Sequence, residues 1–373
     1  MSHQPRAVET VLIVGTGLIG TSVALALREH GLTVLLADQN PGFVRLASEL
    51  GAGVEWTPGG PPADLAVIAV PPQFVAEWLL DLQKTGAARF YTDVASVKAL
   101  PIAQAAQRGC DLTTFVAGHP LAGRERSGPA AARADIFLGR PWAYCPGPEA
   151  SDEAVRAVLE LIELCGANPV RVDPAAHDEA VALVSHAPHV AASAVAARLA
   201  EASETALGLA GPGVRDVTRV AGGDPRLWTV ILSGNARPVA EVLEAVAADL
   251  NTAAAALRAV SAQEAPESTG DPDGAAIGRV TELLERGNTG QSRIPGKHGG
   301  PPRSYAVVQV LVGDRPGELA RLFQAAKDAG VNIEDVRLEH APGLPLGAAE
   351  LSVQPEAAGV LADALRAHGW HVP

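Results

Sequence analysis

The alternation of apolar and polar segments over residues 9–38 predicts a βαβ unit. "TVLIVG" is a short β-branched run, "TGLIGTSVALALREHG" carries apolar residues at helical spacing, and "TVLLAD" is a second apolar run. Further strand candidates follow, mostly separated by helix-like segments, at residues 65–70, 89–94, 113–118, 141–146 and 168–173. Strands that alternate with helices predict an α/β fold, with a Rossmann-type, mostly parallel, doubly wound sheet over residues 1–173.

The pattern changes after residue 173. Residues 174–290 contain long alanine-rich segments with apolar positions at helical spacing and no strand candidate, which predicts an all-helical second domain. Residues 261–274 and 287–304 are rich in Gly, Pro and polar residues, and we place a linker at 291–303. Residues 304–373 follow the order β-α-β-β-α-β, which predicts a ferredoxin-like C-terminal domain.

Length and charge narrow the classes of protein to consider. A chain of 373 residues is too long for one ordinary core, and a net charge of -13 argues against nucleic acid as the main partner. No uninterrupted apolar run approaches roughly 18 residues, and the first residues do not resemble a signal peptide, so we expect no transmembrane helix. Three widely spaced cysteines, Cys110, Cys145 and Cys165, fit reduced thiols and a cytoplasmic location.

A glycine-rich turn joins the first strand to the first helix. In "GTGLIG" the first glycine permits a tight turn, the second lets backbone N–H groups approach a diphosphate, and the third allows close helix–strand packing. An acidic residue ends the second strand, where a carboxylate binds ribose hydroxyls and repels a 2′-phosphate, so NAD is favoured over NADP. The alternative is a set of turn glycines without a ligand. The predicted cofactor site comprises Gly15, Gly17, Leu18, Ile19, Gly20 and Asp38.

Two later strand ends carry polar residues at the same predicted edge. In "TDVASVK", Ser96 offers a hydroxyl and Lys98 a charge, although Ser and Asp at this place are also typical of a helix N-cap. The segment "GHPLAGRERSG" contains His119, and a group of arginines lies within and just after it, which indicates either an anionic small-molecule site or a solvated basic face. These arginines are Arg124, Arg126, Arg133 and Arg140.

The helical region contributes further candidates. "HDEAVALVSHAPH" contains His177, His186 and His189, and its spacing does not favour a metal site. Pro188 is best tolerated in a first helical turn, which would point His189 at a crevice between domains. Arg219 lies among apolar neighbours, so we expect it to be partly buried and to need an anionic partner.

The order and spacing of these motifs resemble the prephenate/arogenate dehydrogenase family of tyrosine biosynthesis, from about Val11 to Gly300. The resemblance implies oxidation of a cyclohexadiene by NAD+ with loss of carbon dioxide. It implies His119 as acceptor for the ring hydroxyl, Ser96 as its orienting partner, and Arg219 as carboxylate binder. It also implies His189 near the substrate side chain. The resemblance further implies that His177 and His186 line the same pocket, in roles that it does not define.

The C-terminal residues 314–336, "DRPGELARLFQAAKDAGVNIEDV", resemble an ACT domain, a regulatory module that often binds amino acids. The resemblance implies a ligand at the turn of Gly317, with tyrosine as a possible feedback inhibitor. The helical domain has enough apolar surface to dimerise, and the dehydrogenase resemblance favours a homodimer. Arogenate remains open as the substrate in place of prephenate. Two other classes also remain: a 3-hydroxyacid-type dehydrogenase with Lys98 as catalytic acid, and a non-catalytic sensor of NAD and an amino acid.

Overall fold

A long sheet organises the N-terminal part of the protein in a computed structural model, which describes residues 7–123, 127–263, 273–295, 304–340 and 346–373. The chain divides into two compact units, Met1–Ala247 and Ala248–Pro373. The strands of the first unit are β1 (Thr10–Val14), β2 (Thr33–Ala37), β3 (Val54–Glu55), β4 (Ala63–Ile68), β5 (Ala88–Asp93), β6 (Phe115–Pro120), β7 (Pro141–Pro146) and β8 (Asn168–Arg171).

These strands form one sheet in the order β3-β2-β1-β4-β5-β6-β7-β8. All neighbouring pairs are parallel except β6 and β7, which pair antiparallel. The predicted Rossmann-type, mostly parallel sheet is therefore confirmed. Strand β3 was not predicted, because two exposed residues at a sheet edge are too few to show an alternating pattern.

Five helices cover the two faces of the sheet: α1 (Leu18–Glu29), α2 (Pro41–Glu49), α3 (Pro72–Thr85), α4 (Ala99–Gln107) and α5 (Asp152–Leu164). Alternate residues of β1 face opposite cores, Val11 and Ile13 on one side and Leu12 and Val14 on the other. Helices α1, α2 and α5 pack on the first face, and α3 and α4 on the second. The carboxyl ends of the parallel strands therefore remain open at one edge.

In the described residues after β8, up to residue 295, the chain forms helices joined by short turns, with no strand among them. A π-helical turn, Ala182–His186, joins α6 to α7 without a break, and Pro188 lies in the first turn of α7, directly after the π-helical turn. The helices are α6 (Pro174–Val181), α7 (Ala187–Leu199), α8 (Glu204–Gly208), α9 (Pro212–Thr218), α10 (Pro225–Gly234), α11 (Ala236–Gln263) and α12 (Asp273–Ser292).

The continuous helical run Pro174–Leu199 is long and apolar enough, by length and composition alone, to cross a membrane, and 33% of its most apolar window is buried in the protein. We expected no such segment. That expectation rested on the absence of a long uninterrupted apolar stretch, whereas the many alanines keep this run apolar on average although it contains a few charged residues. Core helices of soluble proteins meet the same criterion, so length and composition do not make this run a membrane helix. The run also holds the buried polar residues His177 and Asp178.

The second unit contains a small antiparallel sheet of order β10-β11-β9. The chain order is β9 (Ala306–Gly313), α13 (Glu318–Asp328), β10 (Asp335–His340), β11 (Leu346–Val353) and α14 (Ala358–Ala367). The predicted β-α-β-β-α order is thus present, and the final predicted strand is reduced to one bridge between Leu311 and His371. Its core includes Leu322, Leu361 and Trp370.

Candidate active site

The glycine-rich turn lies at the open edge of the sheet, between β1 and α1. Gly15 has φ +99°, and a Cβ there would lie 2.4 Å from the carbonyl oxygen of Ala69. A Cβ on Gly20 would lie 1.9 Å from the carbonyl oxygen of Gly15, so the helix packs closely on the turn. Around Gly17 the space is open to 4 Å, and no side chain caps α1 there. Free helical N–H groups facing open space fit a diphosphate.

Leu18 and Ile19 form the first turn of α1 and are half-buried. Asp38 follows the end of β2 and braces the glycine turn. Its Oδ2 accepts hydrogen bonds from the Thr16 amide at 2.6 Å and the Thr16 hydroxyl at 3.1 Å, and its Oδ1 accepts from the Asn40 amide at 2.8 Å. The residues present fit a dinucleotide, and contact of Asp38 with the ribose stays a prediction.

A buried ion pair lies beneath the segment that carries His119. The Lys98 ammonium pairs with Asp93, both side chains being fully buried, and donates a hydrogen bond of 2.6 Å to the carbonyl oxygen of Gly118. The other Asp93 oxygen accepts from the Gly118 amide at 3.1 Å. Asp93 and Lys98 therefore fix the backbone just before His119. Because Lys98 is enclosed, it does not face a substrate, which argues against a dehydrogenase that uses it as catalytic acid.

His119 lies near the end of β6, at the same edge of the sheet as the glycine turn. Its Nδ1 is 2.9 Å from Nε2 of His177, and Nδ1 of His177 is 2.8 Å from Oδ1 of Asp178. Burial lowers the pKa of His119 well below its usual value, and electrostatic interactions with His177, Lys98 and His186 lower it further. The imidazole is therefore neutral near pH 7, as a proton acceptor must be.

The π-helical turn and α7 bring two more predicted residues into this region. Nδ1 of His186 is 3.1 Å from the Asn235 amide nitrogen, and burial lowers the His186 pKa to about 4. His189 stacks on Trp228 with ring centroids 3.6 Å apart, and burial lowers the pKa of His189 as well. A Cβ on Gly223 would lie 2.5 Å from the Trp228 indole nitrogen, so a glycine is needed beside this stack.

Arg219 begins a 3-10 turn, Arg219–Gly222, that packs against α7. Its side chain is exposed, and the expectation of partial burial was wrong because the short turn leaves its apolar neighbours largely at the surface. Ser96 is half-buried on the segment between β5 and α4, and its hydroxyl bonds to none of the residues that the structure describes. The ring nitrogen that His119 contacts here belongs to His177, and the orienting role of Ser96 stays a prediction.

The remaining predicted arginines do not form one cluster in the described residues. Arg133 is exposed and binds Asp135 through two hydrogen bonds of 2.8 and 2.6 Å, so its charge is largely compensated. Arg140 is exposed at the turn into β7. Arg124 and Arg126 lie outside the described residues.

Several residues of the site were not singled out from the sequence. Asp93, Asp178 and Asn235 are buried polar residues that act by contact with segments far along the chain. Trp228, which stacks on His189, was not singled out either. For Asp93 the available signal was a polar residue at the end of an apolar strand, since a buried polar group needs a partner, whereas Asp178 and Asn235 lie in polar surroundings in the sequence.

The mostly parallel sheet, the open glycine turn and the neutral histidine at the same edge are features of the NAD-dependent dehydrogenase class. Residues 23–171 match the model of the prephenate dehydrogenase nucleotide-binding domain, and residues 173–268 match that of the prephenate dehydrogenase dimerization domain. The chain therefore belongs to the prephenate dehydrogenase family of NAD-dependent oxidoreductases.

Similarity to curated relatives supports the same family. The chain is 43% identical over 365 residues to the probable prephenate dehydrogenase NovF of Streptomyces niveus, covering 97% of this chain and 98% of that protein. It is 31% identical over 239 residues to prephenate dehydrogenase of Bacillus subtilis, covering 61% of this chain and 64% of that one. Similarity to NovF therefore extends through the C-terminal unit.

Solved structures give the same assignment. Prephenate dehydrogenase of Aquifex aeolicus, crystallised with hydroxyphenyl propionate and NAD+, is 26% identical with a TM-score of 0.62, covering 75% of this chain and 98% of that one. Arogenate dehydrogenase of Synechocystis is also 26% identical, with a TM-score of 0.59, covering 76% of this chain and 98% of that one. NAD is thus the cofactor of this fold.

Proposed function

We propose that this enzyme catalyses the NAD+-dependent oxidative decarboxylation of prephenate to 4-hydroxyphenylpyruvate, a step of tyrosine biosynthesis. The observation that carries the proposal is the neutral imidazole of His119 at the sheet edge where the glycine turn lies. A neutral imidazole there can take a hydroxyl proton beside a bound nicotinamide. The 43% identity to NovF along nearly the whole chain supports the choice of prephenate.

The proposed chemistry balances in atoms and charge. Bound NAD+ supplies the acceptor for the hydride that leaves ring carbon C4. His119 takes the proton of the C4 hydroxyl as that carbon becomes a carbonyl. The bond from C1 to its carboxylate then breaks, carbon dioxide leaves, and the electron pair makes the ring aromatic. His119 returns the proton to the phenolate oxygen, so no net proton is released.

The proposed substrate contacts follow the family resemblance. Ser96 binds the ring hydroxyl together with His119, Arg219 binds a carboxylate, and His189 and His186 lie toward the substrate side chain. The stacking of His189 on Trp228 supports this placement, because it presents a rigid aromatic wall. The position of Arg219 on a turn packed against α7 supports its place near His189.

The test is turnover by the purified enzyme with NAD+ and either prephenate or arogenate, followed at the NADH absorbance, with the aromatic product identified by chromatography. We expect NADH and 4-hydroxyphenylpyruvate from prephenate. Turnover of arogenate alone, with tyrosine as product, would replace prephenate by arogenate. Turnover of neither would overturn the proposal and favour a hydroxyacid dehydrogenase or a sensor.

The variant His119→Asn tests the role of the imidazole. We expect kcat to fall by about 10²–10⁴-fold, the usual contribution of a positioned general base, with a smaller change in KM. Unchanged NAD+ affinity, measured by fluorescence titration, is the control for folding. A kcat close to that of the unsubstituted enzyme would remove His119 from the proton transfer.

We further infer that the enzyme is a homodimer. The match of residues 173–268 to a dimerization domain supports this, as do exposed apolar side chains in the helical region. Leu183 is 61% exposed, Val184 69% and Leu209 81%, and a stable interface would cover such side chains. Sedimentation equilibrium should give twice the chain mass, and a single-chain mass at micromolar concentration would contradict it.

We also propose that the second unit is an ACT-like regulatory domain that binds an amino acid, with tyrosine as the first candidate. Its β-α-β-β-α order and sheet order β10-β11-β9 support this. Gly317, with φ +89°, forms the turn between β9 and α13 at which the ligand is expected. Added tyrosine should lower the rate, and Gly317→Val should relieve that inhibition while the rate without tyrosine is kept. Inhibition that persists in Gly317→Val would place tyrosine elsewhere.

A further inference from the structure

His177 lies between the catalytic histidine and a carboxylate, and both of its ring nitrogens have protein partners. Its Nε2 is 2.9 Å from Nδ1 of His119, and its Nδ1 is 2.8 Å from Oδ1 of Asp178. His177 is 3% exposed. With both nitrogens engaged inside the protein, the ring has no polar atom left to bind a substrate.

The positions of the ring protons follow from what each partner can do. A carboxylate oxygen only accepts hydrogen bonds, so Nδ1 of His177 must carry the proton that is donated to Asp178. A neutral His177 then has a lone pair on Nε2. The neighbouring Nδ1 of His119 must therefore be protonated and donate to it. This leaves Nε2 of His119 as an unprotonated acceptor.

Asp178 is itself fixed at both oxygens. Oδ1 also accepts from the Lys98 amide at 2.8 Å, and Oδ2 accepts from the Ala99 amide at 2.9 Å, which caps the start of α4. The Asn235 side chain donates to the backbone carbonyl oxygen of Asp178 at 2.7 Å. Every hydrogen bond described for the Asp178 carboxylate is donated to it by an N–H group. The fold therefore makes this carboxylate the acceptor of the hydrogen bond from His177.

We propose that His177 and Asp178 are positioning residues that hold His119 in the Nδ1-protonated tautomer, so that its Nε2 accepts the proton of the substrate hydroxyl. The identity of that hydroxyl rests on the proposed function, whereas the tautomer does not. His177 therefore acts through His119, in place of the direct substrate contact that the family resemblance implies for it.

The arrangement also supports His119 after it has taken the proton. The cation then keeps its Nδ1–H bond to His177, and the Asp178 carboxylate on the far side of His177 is the nearest counter-charge along the hydrogen-bonded chain. In water a free imidazole would have to reorient or exchange tautomers before each turnover. In this chain the acceptor nitrogen is selected on folding.

The experiment compares His177→Phe with His177→Gln. Phenylalanine keeps a flat ring but removes the acceptor, whereas a glutamine oxygen can occupy the place of Nε2 and accept from His119. Histidine labelled with ¹⁵N distinguishes protonated from unprotonated ring nitrogens by chemical shift, and the variant His119→Asn assigns the His119 signals. Thermal unfolding and NAD+ titration establish that each variant is folded.

We expect His119 to be protonated at Nδ1 in the unsubstituted enzyme and in His177→Gln, and to move to the Nε2-protonated form in His177→Phe. We expect kcat to fall about 10²–10³-fold in His177→Phe, with KM nearly unchanged, and most of that loss to be recovered in His177→Gln.

Two results would overturn the proposal: Nε2-protonated His119 in the unsubstituted enzyme, or Nδ1-protonated His119 that persists in His177→Phe. The chemical shifts need no substrate. An Nδ1-protonated His119 in an enzyme that turns over neither ring substrate would therefore count against the proposed function and for the positioning role.

Discussion

The two sides of the candidate active site differ in where the chain places their polar groups. On the proton side, Asp93, Lys98, His177, Asp178 and Asn235 are buried and bonded to one another's segments. On the substrate side, Arg219 is exposed on a short turn and Trp228 is half-buried. The groups that position the proton acceptor are thus enclosed, whereas the arginine proposed to bind a substrate carboxylate lies at the surface. His186 and His189, which are proposed to lie toward the substrate side chain, are buried between the two.

The largest expected effect comes from removing one charge of the buried ion pair beneath His119. Lys98→Met leaves the fully buried Asp93 without its counter-charge, and we expect the free energy of unfolding to fall by about 3–5 kcal/mol. The double variant Lys98→Met/Asp93→Asn removes both charges and should recover part of this loss. Urea denaturation measures all three proteins. A single variant within about 1 kcal/mol of the unsubstituted enzyme would show that the pair does not hold this core.

Acid should have the next largest effect, through the buried His186 that contacts Asn235. His186 has a folded pKa of about 4 against an ordinary value of 6.5, so the unfolded chain binds the extra proton between these values. Its contribution to stability is complete above about pH 6.5 and is lost as pH falls toward 4, on the order of 3 kcal/mol. His186→Asn keeps an acceptor for Asn235 and should flatten this part of the pH profile of unfolding. An unchanged profile would contradict the assignment.

The smallest expected effect concerns the exposed side. Arg219→Gln should raise KM for the ring substrate by roughly 5- to 30-fold, about 1–2 kcal/mol, because a charged hydrogen bond at the surface is partly screened. We expect kcat to change little. The matched control is Arg215→Gln, an exposed arginine on α9 one turn earlier. Equal effects of the two variants would mean that Arg219 contributes only general positive charge.

Local patterns predicted most of the fold. The alternation of strands and helices, the glycine turn and the placement of His119 near a strand end all depend on neighbours in sequence, and the structure has them as expected. The family resemblance could also be recognised in the sequence, because the order of the motifs can be read without knowing which residues are in contact.

Contacts between distant segments could not be predicted. Asp178 binds backbone groups 79 and 80 residues earlier in the chain, and Asn235 reaches Asp178 across 57 residues. Nothing in the local pattern of either residue distinguishes such a contact from a solvated polar side chain. The burial of Lys98 was missed for the same reason, since lysine is rarely enclosed without a partner and the partner, Asp93, looked like a capping residue.

The π-helical turn at Ala182–His186 inserts one extra residue into a run that is otherwise α-helical. Leu183 and Val184 on this turn are exposed in the single chain. Because the wider turn takes up the extra residue locally, deleting one residue within it would let an ordinary α-helix form there and would change the direction of the side chains on α7 little. A residue deleted from the regular α-helix outside the turn would instead rotate everything after it by about 100°, and His189 would leave the face of Trp228. The turn is therefore the place in this run where a change in the number of residues is absorbed.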